Sequence, residues 1–232
     1  METSIRTYIT NPADFFVEKN AKEPALSIPA LIVAIGGLFA AITAYQVSGI
    51  MGPVFSGMSD SISYVIVIFA GISGFIGFFI IWLILGFMMY LITRYYKSDH
   101  SFKRILEITG YGMVPLVIAA CISMILGLYF IPMVEIGSVH LTSMTDPEEI
   151  QQIVEKATSN LMHDPVFLQY SLMSSLVTLI FLVWAANQWI FGMQAGGKLT
   201  QKQVLFAGGI PAVIYALFTL YSLGMSLGWF ST

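Results

Sequence analysis

The sequence predicts an all-α integral membrane protein, a bundle of five transmembrane helices. Hydrophobic residues make up 57% of the 232 positions and charged residues only 10%, and the mean hydropathy is +0.81. Soluble domains carry about 25% charged residues, so this composition indicates a chain that crosses the membrane several times. Two further observations agree: five long, nearly uncharged runs, and an unequal distribution of basic residues among the loops between them.

The five uncharged runs define the spans. Each is as long as the roughly 20 residues that a helix needs to cross the hydrocarbon core. The predicted spans are residues 27–47, 62–92, 111–133, 170–191 and 204–229. Together they form one membrane domain over residues 27–232, and a tail over residues 1–26 precedes it.

The N-terminal tail is predicted to contain a short interfacial helix. Asn11 can cap it, Pro12 suits its first position, and Asp14 favours the N-terminal end of its dipole. Phe15 and Phe16 would press into the lipid headgroup region while the charged residues that follow stay in water. The alternative is a disordered tail that carries two incidental phenylalanines.

Span two carries glycines at helical spacing. Gly71, Gly74 and Gly77 lie three residues apart, so they place small residues along one face of the helix. Such a face lets another helix approach closely, and a gating hinge is the alternative interpretation.

The start of span three is unusual. Gly110, Tyr111, Gly112 and Pro115 fall in the first turns of a helix that should bury its backbone in lipid. A basic segment precedes them, and Ser98 or Ser101 is predicted to cap the helix that leads in.

Span five begins in a similar way. The capping-box pattern from Thr200 to Gln203 is followed by Gly208, Gly209 and Pro211. The starts of spans three and five are therefore predicted to pack against each other on the cytoplasmic side, as a pseudo-symmetric pair.

The polar region between spans three and four is predicted to hold an external amphipathic helix over residues 147–162. Asp146-Pro147-Glu148-Glu149 presents a cap, a first-position proline and a capping-box acid in the expected order. Apolar residues then recur at spacings of three and four. Asp164-Pro165 repeats this opening for the helix that leads into span four.

The basic residues predict the orientation. Nine of the ten Lys and Arg residues lie in the tail, between spans two and three, or between spans four and five. They are Arg6, Lys19, Lys22, Arg94, Lys97, Lys103, Arg104, Lys198 and Lys202. The positive-inside rule then places the N-terminus in the cytoplasm and, with five spans, the C-terminus outside.

Three polar residues near or within the spans are candidates for function, because polar groups are costly there. Glu107 reaches the span interior, or pairs with Lys103 or Arg104, or is a solvated interfacial acid. Asn187 and Gln188 either form hydrogen bonds between helices or line a cavity.

No catalytic motif is present in the sequence. It has no His-Glu-x-x-His, no phosphate-binding loop and no Gly-x-Ser-x-Gly, so no enzyme activity and no cofactor are expected. His140 and His163, with the acids near them, have no diagnostic metal-ligand spacing, and a solvated loop is favoured over a metal site. The net charge of -3 and the scattered basic residues predict no nucleic-acid partner.

The sequence resembles the prokaryotic members of the Yip1-domain family almost from end to end. The resemblance is carried by Asn11-Pro12 followed by Phe15-Phe16, by Gly110-Tyr111-Gly112-Met-Val-Pro115, and by the polar and basic lead from Lys198 to Lys202 into a last span with Pro211. The topology of five spans with a cytoplasmic N-terminus also agrees.

The resemblance implies a membrane protein that acts through other membrane proteins. Eukaryotic members associate with prenylated Rab GTPases and with each other. This sequence lacks their long cytosolic region and their Asp-Leu-x-Gly-Pro type motif, and Tyr111 and Pro115 lie closer together than in their helix. The resemblance therefore does not extend Rab binding to this chain, and it implies a prokaryotic plasma membrane.

Two hypotheses for function follow. In the first, the protein is a non-enzymatic scaffold that resides in the lipid bilayer. Its helices pack against a second copy of the protein or against other membrane proteins. In the second, it is a small transporter or permease component, with a cavity at the glycine- and proline-broken starts of spans three and five.

Overall fold

The computed structural model describes residues 5–51, 60–135, 147–196, 198–227 and 229. All the regular structure in these residues is helical. The α-helices are α1 (Ile5–Thr10), α2 (Pro12–Asn20), α3 (Ser27–Ile50), α4 (Asp60–Tyr95), α5 (Phe102–Gly112), α6 (Val114–Phe130), α7 (Pro147–His163), α8 (Pro165–Gln194) and α9 (Gln201–Ser226). A 3-10 helix, Ile131–Met133, extends α6.

Five of these helices are long and apolar enough to cross a membrane, which confirms the predicted number of spans. The stretches are Ser27–Ile50, Tyr64–Tyr95, Val114–Met133, Pro165–Gln194 and Gln201–Ser226. Most helix ends lie beyond the predicted limits because the helices continue into their polar flanks. Large apolar side chains such as Phe69, Leu176 and Val183 point outward, as expected for helices surrounded by lipid.

Span three differs from its prediction. It was expected to start at Tyr111, but α5 contains that residue, and the helix is interrupted at Met113 before α6 begins. The Met113 amide donates to the Gly110 carbonyl over 3.2 Å, a short turn in place of the regular helical bond to Thr109. Pro115 has no amide hydrogen to donate, so it cannot restore the regular pattern.

Several predicted caps are confirmed. The Asp14 amide donates to the Asn11 side chain over 3.4 Å, and the Arg104 amide donates to the Ser101 hydroxyl over 3.2 Å. The Phe167 amide donates to Asp164 over 2.8 Å.

Thr200 and Gln203 form the predicted capping box of α9. The Thr200 amide donates to the Gln203 side chain over 2.9 Å, and the Gln203 amide donates to the Thr200 hydroxyl over 3.4 Å. The predicted cap Asp146 and the candidate metal ligand His140 lie outside the described residues.

The chain forms two compact units. The first comprises Met1–Gly36, Phe78–Ile118 and Leu179–Leu217, and the second comprises Gly37–Gly77, Ala119–Thr178 and Phe218–Thr232. Every spanning helix contributes residues to both units. The first unit contains α1, α2 and α5, and the second contains α7.

In the second unit, the glycines of α4 allow a close approach of α3. A Cβ at Gly74 would lie 2.8 Å from the Ala40 carbonyl oxygen, and one at Gly71 would lie 3.5 Å from that of Ala41. Gly77 faces open space. The predicted packing role therefore holds for Gly71 and Gly74.

Candidate functional site

The residues of the start of span three lie at the centre of the first unit. All of α5 from Arg104 to Gly112 is buried, which is unusual for an eleven-residue helix that begins with a basic turn. Helices α2, α3, α4 and α8 each supply a side chain that contacts it. The segment is thus a packing centre rather than a simple lead into the membrane.

Side chains from distant parts of the chain satisfy the carbonyls that the break releases. The indole nitrogen of Trp189 donates to the Thr109 carbonyl over 3.1 Å, and the hydroxyl of Tyr8 donates to the Tyr111 carbonyl over 2.9 Å. In an uninterrupted helix, the amides of residues 113 and 115 would donate hydrogen bonds to these two carbonyls. The break is therefore closed by hydrogen bonds, as buried backbone requires.

Two predicted motif glycines allow these aromatic side chains to reach the backbone. A Cβ at Gly112 would lie 2.1 Å from Trp189 Cδ1, and one at Gly110 would lie 2.5 Å from Pro29 Cβ and 3.1 Å from Trp82 Nε1. The Trp82 indole donates to the Leu106 carbonyl over 3.0 Å. Only glycine fits at either position without displacing its neighbours.

A buried ion pair lies on the same helix. Arg104 Nη1 lies 2.5 Å from Glu107 Oε2, and the two side chains are 8% and 4% exposed. Arg104 also donates to the Lys19 carbonyl over 3.0 Å and to the Lys22 carbonyl. The predicted pairing of Glu107 with Arg104 is found, and the alternative of a solvated acid is wrong.

Burial has the largest effect on the Glu107 carboxyl. It raises the pKa of Glu107 above its usual range, although Arg104, the Ala25 amide and Lys19 all act in the opposite direction. A buried pair of this kind adds little net stability, but removal of one partner leaves the other charge buried and unpaired. The main effect of the pair is positional: it orients Arg104, whose hydrogen bonds to the Lys19 and Lys22 carbonyls hold the end of α2 against α5.

The two phenylalanines of the tail are covered by protein and do not press into lipid headgroups as predicted. Phe15 is 5% exposed and Phe16 is 2% exposed, and each packs edge to face with Tyr111, at centroid distances of 5.2 and 6.5 Å. Tyr8 contacts both rings. The tail therefore buries its apolar face against α5 instead of lipid, and the disordered alternative is also wrong for these residues.

His100 was not singled out from the sequence, yet it is buried beside α8. Its Nε2 lies 3.2 Å from the Met193 carbonyl oxygen, which can only accept, so this nitrogen carries the proton. Burial lowers the pKa of His100, and the Met193 carbonyl only partly offsets this effect. A lone histidine in a loop gives no sequence signal for such a contact.

Of the two glycines that begin span five, Gly208 contacts α8. A Cβ at Gly208 would lie 3.0 Å from Ile190 and from Met193, whereas Gly209 has nothing within 4 Å. Pro211 lies within α9, and the helix continues through it. The predicted pairing of Gly110–Pro115 with Gly208–Pro211 is not found in these contacts, because the closest neighbours of the glycines belong to other helices.

Asn187 and Gln188 have different surroundings. Gln188 is 1% exposed, and its side-chain oxygen accepts no hydrogen bond from the described residues. Asn187 is exposed and lines an open groove of about 730 Å³ between α8 and α9. The rest of the groove is apolar and includes Val183, Gly209, Ala212, Val213 and Ala216.

These features define the class of the protein: a five-span helical membrane protein whose third span is broken at its start and held by aromatic side chains. Within the described residues, no three His, Cys, Asp or Glu side chains come together as a metal site. The chain belongs to the Yip1 family, since the Yip1 domain matches residues 6–223.

The chain is also similar to a curated archaeal protein. Over 121 residues the chain is 37% identical to uncharacterized protein MJ0794 of Methanocaldococcus jannaschii, an alignment that covers 52% of this chain and 86% of the relative. No solved structure matches the chain significantly.

Proposed function

We propose that the protein is a non-enzymatic scaffold that organises the membrane through helix packing with a second copy of itself or with other membrane proteins. The observation that carries this proposal is the open groove between α8 and α9, where Asn187 is exposed among apolar side chains. A polar group is costly in hydrocarbon, and a hydrogen bond from a second helix reduces that cost by about 1 kcal/mol.

The floor of the groove suits a close helix contact. Gly209, Ala212 and Ala216 follow one another at spacings of three and four, so they share one face of α9. Space is open beside Gly209, where a Cβ would meet nothing within 4 Å. Small residues on one face permit backbones to approach, and dispersion contacts then favour association in lipid.

Transport receives less support. It needs a cavity at the broken starts of spans three and five, but at span three the Trp82 and Trp189 rings and Pro29 occupy the space beside Gly110 and Gly112. The released carbonyls of Thr109 and Tyr111 already accept hydrogen bonds from the protein. A substrate would therefore find no space beside Gly110 and Gly112 and no unpaired carbonyl at Thr109 or Tyr111.

The best-supported location is a prokaryotic plasma membrane with the N-terminus in the cytoplasm. The basic residues on one set of loops support the orientation, and the relative from Methanocaldococcus jannaschii supports a prokaryotic membrane. A C-terminal phosphatase fusion, which is active only outside the cytoplasm, is expected to be active. Activity of a C-terminal cytoplasmic reporter would contradict the orientation.

Photo-crosslinking in native membranes tests the scaffold. A benzophenone amino acid at Val183 or Val213, which are 73% and 58% exposed in the groove, is expected to give a discrete protein adduct. The matched control is Ile84 on α4, which is 52% exposed outside the groove. Adducts with lipid alone at all three positions would contradict the proposal.

A further inference from the structure

A second cavity lies where the tail meets the starts of two spans. Its volume is about 320 Å³, and it is lined by Tyr8, Phe15, Lys19, Ile28, Ile32, Tyr111 and Val114. Ile28 and Ile32 belong to the first turns of α3, and Val114 is the first residue of α6. The cavity therefore lies at the ends of spans, where the headgroups of a bilayer are found.

The lining separates into an apolar part and a single cationic side chain. Isoleucine, valine and aromatic rings form the walls, and the Lys19 ammonium lies 5.7 Å from the centre of the Phe15 ring and 5.1 Å from that of Tyr111. Ile28 is 50% exposed, so the apolar wall continues onto the outer surface of span one.

The backbone of Lys19 is held in place, while its charge is not used in an ion pair. Arg104 donates to the Lys19 carbonyl over 3.0 Å and fixes the end of α2. None of the ion pairs among the described residues includes Lys19, because Glu107 is paired with Arg104 and Glu18 with Lys22. The attraction between the ammonium and the two rings holds the positive charge at the cavity without neutralising it.

We infer that this cavity binds an anionic phospholipid, with the phosphate at Lys19 and the start of an acyl chain against Ile28, Ile32 and Val114. The volume lies at the lower end of the roughly 300–1,000 Å³ of ligand pockets, which suits the upper part of one chain. Basic pockets beside membrane helices bind acidic headgroups, and a zwitterionic lipid lacks the net charge that Lys19 complements.

Native mass spectrometry of the purified full chain in detergent tests this site. The probes are phosphatidylglycerol, phosphatidylcholine and inorganic phosphate. We expect the wild type to prefer phosphatidylglycerol, and Lys19→Gln to weaken its binding about fivefold, since one cation near a lipid surface contributes about 1 kcal/mol. Lys22→Gln is the matched control because Lys22 lies on the same segment, 62% exposed and outside the cavity.

A second pair of variants tests the acyl chain independently of the charge. Ile32→Trp fills the cavity and is expected to abolish binding, whereas Ile35→Trp, on an exposed position of the same helix, is expected to retain it. This pair decides the question if Lys19→Gln does not fold.

Four results would overturn the inference. They are equal binding of the two lipids by the wild type, equal losses in the two lysine variants, binding of inorganic phosphate as tight as that of phosphatidylglycerol, and unchanged lipid binding in Ile32→Trp. The second would assign the preference to general surface charge, and the third would remove the acyl chain from the site.

Discussion

Gly112 has no room for a side chain, because the Trp189 indole occupies the space where a Cβ would point. The Cβ of an alanine would lie 2.1 Å from Trp189 Cδ1 and 2.3 Å from Nε1. The ring must move, and its hydrogen bond to the Thr109 carbonyl is then lost. We expect Gly112→Ala to destabilise the protein by about 1–3 kcal/mol, measured as a lower Tm in detergent by fluorescence-detected size-exclusion chromatography.

Gly77 provides the control for this substitution. It also lies within a helix, but a Cβ there would meet nothing within 4 Å. Gly77→Ala is therefore expected to leave the Tm unchanged or slightly raised. Equal losses in the two variants would mean that the contact with Trp189 is not what requires glycine at position 112.

His100 gives the protein a pH-dependent contribution to stability. Its pKa lies below the usual 6.5 in the folded state because burial disfavours the charged ring. The neutral His100 ring therefore stabilises the folded state at pH values above the pKa that histidine has in the unfolded chain. This stabilisation is lost as the pH falls through the lower pKa of His100 in the folded chain. Glu107 acts in the opposite direction, since its pKa is raised, so acidification favours the folded state at that residue.

A comparison of His100→Gln with the wild type isolates the histidine. Glutamine keeps a donor for the Met193 carbonyl but does not titrate. Between about pH 7.5 and about pH 5 we expect the Tm of the wild type to fall more than that of His100→Gln. Parallel Tm profiles would show that His100 does not titrate in this range.

The break between α5 and α6 depends on a proline and on a tyrosine 103 residues away from its acceptor. Pro115 cannot donate to the Tyr111 carbonyl, and the Tyr8 hydroxyl donates instead. Tyr8→Phe is expected to cost about 1 kcal/mol in the free energy of unfolding, as for other buried hydrogen bonds. In a Pro115→Ala background the cost should be smaller, because the new amide can donate to the same carbonyl.

These variants form a double-mutant cycle, which measures the coupling free energy between Tyr8 and Pro115. The coupling reports the competition for the Tyr111 carbonyl separately from the other effects of each substitution. Tyr95→Phe is the control, since Tyr95 is 80% exposed. If Tyr8→Phe costs the same in both backgrounds, the hydroxyl does not substitute for the missing amide.

The sequence predicts the elements well wherever the determining contact is local. The caps at Asn11, Ser101, Asp164 and Thr200 are hydrogen bonds between residues three positions apart. Both partners therefore fall within one short sequence motif, which can be recognised without the structure. The partners of the break were not predictable in this way. Trp189 lies 80 residues from the carbonyl that it contacts, and an indole within a span gives no sign of its acceptor.

For the molecule as a whole, composition and charge predict the five-span membrane class, but they do not distinguish lipid from a protein interior. Phe15 and Phe16 show why. An apolar pair on a short helix is equally suited to the headgroup region and to a protein core, because both remove it from water. Only the folded chain reveals that Tyr111 covers these rings.

The central claim is that the helix break at Met113 is enclosed by packed side chains and does not line a water-filled pathway. Thiol labelling tests it most directly, in a Cys121→Ser background that removes the single native cysteine. Met113→Cys replaces a side chain that is 0% exposed at the break, and Tyr95→Cys is the accessible control. We expect no reaction at position 113 with a membrane-impermeant maleimide from either side of the membrane. Reaction at position 113 as fast as at position 95 would contradict the claim and favour a water-filled pathway.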